Sequence, residues 1–192
     1  MTRGPSLVRV SCVFYGAVGA VAWALAWWRT GDALDLFRAP ASPWPLVVGA
    51  VVGVVVALAS RAMVSWGPMR DLVNELAPVL HGVGPLEALV LALSSGLAEE
   101  AFFRGALQPW LGLVPAALVF GLAHVPVTRR LRVWPLFAFV VGLGLGWLSR
   151  AGGTWLGAGV AHAMVNYLNV RWIAKDGMSH AGEGPEDHPG VS

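Results

Sequence analysis

Charge is scarce in this sequence. Asp, Glu, Lys and Arg make up only 12% of its 192 residues, about half the share usual in a soluble domain. With 56% hydrophobic residues and a mean hydropathy of +0.64, the chain reads as a membrane protein. Cysteine is nearly absent: Cys12 is alone, which rules out an intramolecular disulfide and a multi-cysteine metal site. It lies in an apolar run, where it faces lipid or packs. The net charge is only +2, and the basic residues are scattered between apolar runs without a face of interleaved aromatics, so nucleic acid is not an expected partner. Strand alternation is missing from the apolar segments, against a membrane barrel. No repeat is evident. The "GLGLGW" at 142–147 is not a phosphate loop, since it lies inside a span with no strand before it. Gly142 with Gly146, and Gly49 with Gly53, instead form small-residue packing faces.

What is present is a series of long apolar segments, near residues 10–28, 46–65, 86–109, 113–126, 133–149 and 154–173. Each crossing needs roughly 20 residues, so the sequence predicts an all-α, polytopic transmembrane bundle of about six helices. The first segment has Arg3 and Arg9 before it, but "WALAWWRT" offers no small-residue cleavage site, and a retained span is expected. Residues 67–82, "GPMRDLVNELAPVLHG", carry Met69, Leu72, Val73, Leu76 and Leu80 at helical spacing, which predicts a helix along the membrane interface. Trp27, Trp28, Trp44, Trp66, Trp110, Trp134, Trp147 and Trp155 cluster near the predicted ends of spans, as headgroup-level anchors. With an inward N-terminus and six spans, nine Lys and Arg fall inside and three outside. Both termini are then cytoplasmic in a cell-membrane protein. The expected organisation is one transmembrane domain over 1–175, and a disordered polar tail over 176–192 that has too little apolar content to order itself.

Few polar residues remain within the spans: Glu99, Glu100 and Arg104 in the third, His124 in the fourth, His162 and Asn166 in the sixth. A charge at the centre of a span costs roughly 2.5–3.5 kcal/mol on insertion scales, so such groups persist when they pair or do chemistry. Residues four apart share a helix face, whereas adjacent ones point about 100° apart. Glu100 and Arg104 therefore pair as a structural brace. Glu99 projects elsewhere without a local partner. It is protonated, solvated by a cavity, or turned to polar groups of another span, and desolvation suits such a carboxylate to take a proton from water. His162 and Asn166 share a face in "GAGVAHAMVNYLN", where Gly157, Gly159 and Ala161 admit a close neighbour. A neutral imidazole there can bind a metal or polarise a water, and Asn166 can orient it or stabilise an oxyanion. His124, in "VFGLAHVP", is the second imidazole, with Phe120 one turn earlier. His81, His180 and His188 receive no role.

In order and approximate spacing, "EEAFFR" (Glu99 to Arg104), "FGLAH" (Phe120 to His124) and "HAMVN" (His162 to Asn166) resemble the three motifs of the CPBP intramembrane proteases. That group includes type II CAAX prenyl endopeptidases and bacteriocin-processing or Abi proteins. The likeness covers about residues 85–172. It implies a helical intramembrane endopeptidase in which Glu99 activates the attacking water, and His124 and His162 bind a metal or polarise water and substrate. Asn166 assists at the oxyanion, while Glu100 and Arg104 hold the site together. It also implies a membrane-embedded or lipidated peptide substrate. A divalent metal, zinc foremost, held by His124, His162 and Glu99 fits a three-ligand catalytic site, although the zincin motif H-E-x-x-H is absent. The first two spans and the tail lie outside the likeness, and the chain is short for the group. A non-catalytic immunity or scaffold protein, or a small ion- or proton-coupled transporter using Glu99, are the competing readings. Glu99 and His162 are expected in the outer half of the bilayer and His124 near the inner end of a 14-residue apolar run. They meet only if that helix is tilted, displaced or extended past Pro126.

Overall fold

The computed structural model describes residues 4–125 and 128–181, and the regular elements within them are all helical. They are α1 (Gly4–Thr30), α2 (Trp44–Ala62), α3 (Gly67–Leu80), α4 (Pro85–Glu100), α5 (Gln108–Leu111), α6 (Leu113–Ala123), α7 (Trp134–Gly152) and α8 (Leu156–Ala181). A π-helical segment, Ala101–Leu107, joins α4 to α5, so that Pro85–Leu111 is one continuous rod. Proline sets where several helices begin. Pro45, Pro68, Pro85 and Pro135 each occupy the first or second helical position, where the N–H has no intrahelical acceptor to lose. Glycine does the turning: Gly112, at φ +84°, redirects the rod into α6, and Gly153, at φ +64°, closes α7 in the left-handed conformation that only glycine adopts cheaply.

Six passes run alternately through the bundle: α1, α2, the rod, α6, α7 and α8. The α1–α2 connection, the end of the rod and the α7–α8 turn border one chamber, while Trp66, Met69, Leu131 and Trp134 come together at the other end. The expected all-α bundle forms, while among the described residues fewer than all six of its passes meet the length and hydropathy of a membrane span. Only α1 (from Ser6), α2 and α7 are individually long and apolar enough to cross, and α3 with the rod adds a fourth if their 120° bend is one broken span. Two physical reasons account for the difference. The 11 residues of α6 reach only about 16 Å. Helix α8 packs against α2, α3, α4 and α7 and is hardly exposed before Lys175, so it has no need of an apolar surface all round. The lipid-facing surface lies instead on helices such as α1 and α2, where Val10, Val13, Phe14, Val47, Val51 and Val55 are each more than half exposed. Cys12 is exposed on α1 in the same way.

Helix α8 is held tightly. A Cβ on Gly49 of α2 would strike the carbonyl of Gly157, and one on Gly96 of α4 would come within 2.6 Å of the Ala163 backbone nitrogen, so both helices approach at glycine. The amphipathic α3 forms as expected, burying Met69, Val73, Ala77 and Leu80. The change to polar composition after Ile173 does not end the helix, which continues through Ala181. The rest of the expected tail, 182–192, lies outside the described residues.

Candidate active site

Two adjacent glutamates divide the work at the end of α4. Glu100 is completely buried, and its Oε1 accepts hydrogen bonds from Arg104 Nη1 at 3.0 Å and from His162 Nδ1 at 2.9 Å. Arg104 lies one turn on, within the π-helical segment, and donates through Nη2 to the Gly142 carbonyl at 3.0 Å. Its guanidinium covers the Phe120 ring at 4.3 Å from the centroid, a cation–π contact in a dry setting. Gln108, a turn further, repeats the pattern with the Gly146 carbonyl at 3.0 Å. The expected Glu100–Arg104 brace therefore forms, and it does more than brace. As a carboxylate paired with an arginine, Glu100 accepts, so His162 Nδ1 carries the proton and Nε2 is left with its lone pair.

His124 is fixed in the same sense by a different partner. It caps α6, which stops at Ala123. Its Nδ1 lies 2.7 Å from the Phe120 carbonyl. A carbonyl only accepts, so Nδ1–H donates and Nε2 is free. That Nε2 lies 3.9 Å from Glu99 Oε2, too far for a direct hydrogen bond. Oε2 is buried with no hydrogen-bond partner, and the phenol of Tyr15, from α1, interacts with the Glu99 carboxylate. Asn166 donates to Ser95 Oγ at 2.9 Å, and Ser95 in turn donates to the Leu91 carbonyl at 2.8 Å.

The rings of His124 and His162 flank Phe120, with centroids 4.4 and 6.0 Å from it. Both histidines and Asn166 stand on the wall of one cavity of about 310 Å³. The rest of its wall is largely aliphatic and aromatic, from α2, α3, α7 and α8, and includes Val52, Leu76, Trp134 and Phe137. Glu99 lies behind His124, outside that lining. Sequence reasoning gave Glu99 no local partner, grouped it with His124 and His162, and left Glu100 a brace; the structure sets Glu99 3.9 Å from His124 and joins His162 to Glu100 instead. Tyr15 and Ser95 were not anticipated. Ser95 lies one turn before Glu99 on the same face, a legible signal. Tyr15, one of two tyrosines in the chain, offered only its polar group within an apolar run. The expected metal set of Glu99, His124 and His162 is not gathered: among the described residues, no three His, Cys, Asp or Glu side chains are placed to hold an ion.

Fold and site together define a helical membrane protein with a buried cluster of carboxylate, imidazole and guanidinium groups. Residues 82–168 match the family model for type II CAAX prenyl endopeptidase Rce1-like proteins. The uncharacterized protein YpbD of Bacillus subtilis (strain 168) is 32% identical over 97 residues, which are 50% of this chain and 50% of that protein. The matched segment thus spans about half the length of this curated relative. No solved structure matches.

Proposed function

We propose that this protein is an intramembrane endopeptidase that hydrolyses a peptide bond of a membrane-embedded or lipid-modified substrate. The observation that carries the reading is the pair of histidines pinned through Nδ1, both standing with Asn166 on one largely apolar cavity, with the Glu99 carboxylate 3.9 Å behind His124. A single water held about 2.8 Å from each group spans that 3.9 Å gap. Glu99 takes a proton from this water as its oxygen attacks the scissile carbonyl, and returns the proton to the departing nitrogen as the C–N bond breaks. Asn166 uses one amide N–H on Ser95 and has the other for the oxyanion, where one such donor is worth about 100–1000-fold in rate. His162, oriented by Glu100, faces the same substrate carbonyl. The donors are not gathered as a three-ligand metal set, so these steps use side chains alone. The basic residues favour a cytoplasmic position for both termini and for the cavity end of the bundle.

The test is cleavage in proteoliposomes of the full-length protein, with a panel of lipidated and transmembrane peptides. Glu99→Gln and His162→Ala are expected to abolish cleavage seen with the unaltered protein while circular dichroism stays that of a folded helical bundle. Full activity in both variants overturns the hydrolase reading.

A further inference from the structure

The larger chamber of the molecule lies at the opposite end of the bundle from the histidine cavity and has no part in the chemistry above. Its volume is about 670 Å³, and it lies between the α1–α2 connection, the end of the rod and the α7–α8 turn. Three arginines line it, Arg38, Arg104 and Arg150, against one carboxylate, Asp35. That carboxylate pairs with Arg29 at 3.0 Å and with Arg38 at 3.6 Å, and Arg38 also donates to Asp32, just outside the lining, at 2.5 Å. Arg150 is exposed and makes no ion pair among the described residues. Arg104 forms the floor at 4% exposure, with Nη1 and Nη2 directed inward to Glu100 and Gly142. Gln108, Ser149 and Thr154 complete a polar wall.

The level of the chamber is fixed by the spans. Helix α1 ends at Thr30, α2 begins at Trp44 and α7 ends at Gly152, and the chamber is bordered by residues 35–41 and 149–155 just beyond those ends. It therefore opens where apolar spans give way to headgroups. Arginine is the side chain best suited to phosphate oxygens, through its planar fork of donors, and cationic pockets at this depth bind lipid head groups.

We propose that this chamber binds a phosphate group presented by an anionic membrane lipid, held by Arg150, with Arg38 beside it on its Asp32 and Asp35 partners and Arg104 beneath. The site stands or falls on binding alone and is independent of the protease reading. The test is thermal unfolding of the purified full-length protein in detergent, as wild type, Arg150→Gln and Arg38→Gln/Arg150→Gln. Each is titrated with short-chain phosphatidylglycerol, short-chain phosphatidylcholine, inorganic phosphate, or chloride at matched ionic strength. At about tenfold excess over its dissociation constant, phosphatidylglycerol is expected to raise the wild-type midpoint by about 3–6 °C, with a smaller rise in Arg150→Gln. Inorganic phosphate giving the same arginine-dependent rise supports the site with a soluble phosphate as its source. A rise of equal size in the variants, an equal rise with phosphatidylcholine or chloride, or no rise with either phosphate ligand overturns the proposal. Arg150 is engaged in none of the hydrogen bonds above, so the single variant carries the test even if the double variant folds poorly.

Discussion

Glu99 and Glu100 differ by one residue and by their whole environment, because successive side chains on a helix diverge by about 100°. Glu100 is sealed into a network with Arg104, His162 and, through the arginine, Gly142. Removing one partner of a buried ion pair leaves an uncompensated charge and costs about 3–5 kcal/mol. Arg104→Ala is therefore expected to lower the thermal unfolding midpoint by about 6–20 °C, whereas Glu99→Gln, which breaks no such pair, shifts it by little. Differential scanning fluorimetry of the two variants checks the contrast. Tyr15 supplies the other half of the argument. Its phenol bears on Glu99, and a misoriented base costs rate more than binding. Tyr15→Phe is expected to lower kcat about tenfold, or about 1.4 kcal/mol, with KM unchanged; a change in KM alone assigns Tyr15 to the substrate instead. The i, i+4 rule makes Glu100–Arg104 visible from the sequence, since both partners lie on one helix. It is blind to Tyr15 and His162, whose approach to the glutamates depends on how separate helices pack.

The rod from Pro85 to Leu111 shows what an element contributes beyond its residues. Its π-helical turns, Ala101–Leu107, lie directly after the two glutamates, and π-helical insertions are frequent at functional sites. Arg104 and Gln108 then reach two carbonyls one turn apart on α7, those of Gly142 and Gly146. The sequence marks Gly142 with Gly146 and Gly49 with Gly53 as small-residue faces, and all four do face close neighbours. Their partners are not legible, because a glycine pair states that something approaches without naming it. Gly49 meets the backbone of Gly157, which cannot swing aside, whereas a Cβ on Gly144 would meet nothing within 4 Å. Gly49→Ala is therefore expected to destabilise by about 1–3 kcal/mol, while Gly144→Ala is neutral or stabilising by up to about 1 kcal/mol through its higher helix propensity. Unfolding midpoints of the two variants measure this directly.

At the scale of the whole molecule, helices α2 and α4 clamp α8 at Gly49–Gly157 and Gly96–Ala163, and this decides what the site can assemble. The order of the helices was legible from apolar segments alone, and their boundaries fall within a few residues of the expected ones except where α1 begins early, at Gly4, and α8 continues to Ala181. Hydropathy registers whether a helix must face lipid, so α8, shielded by its neighbours, falls short of a span by that measure although it runs through the bundle. The same shielding fixes His162. To join Glu99 and His124 around an ion, His162 would have to bring its free Nε2 toward α6 while Nδ1–H stays on Glu100, and the backbone contacts that leave no room for a methyl group hold α8 against sliding far in that direction. Close-packed interiors resist such displacement. Cleavage is accordingly expected to survive 1,10-phenanthroline, with less than one zinc per chain in the purified protein by elemental analysis. Stoichiometric zinc together with loss of activity on chelation would mean that α8 moves toward α6 in the working enzyme, and that His162 binds the metal through Nε2 while Nδ1–H stays on Glu100.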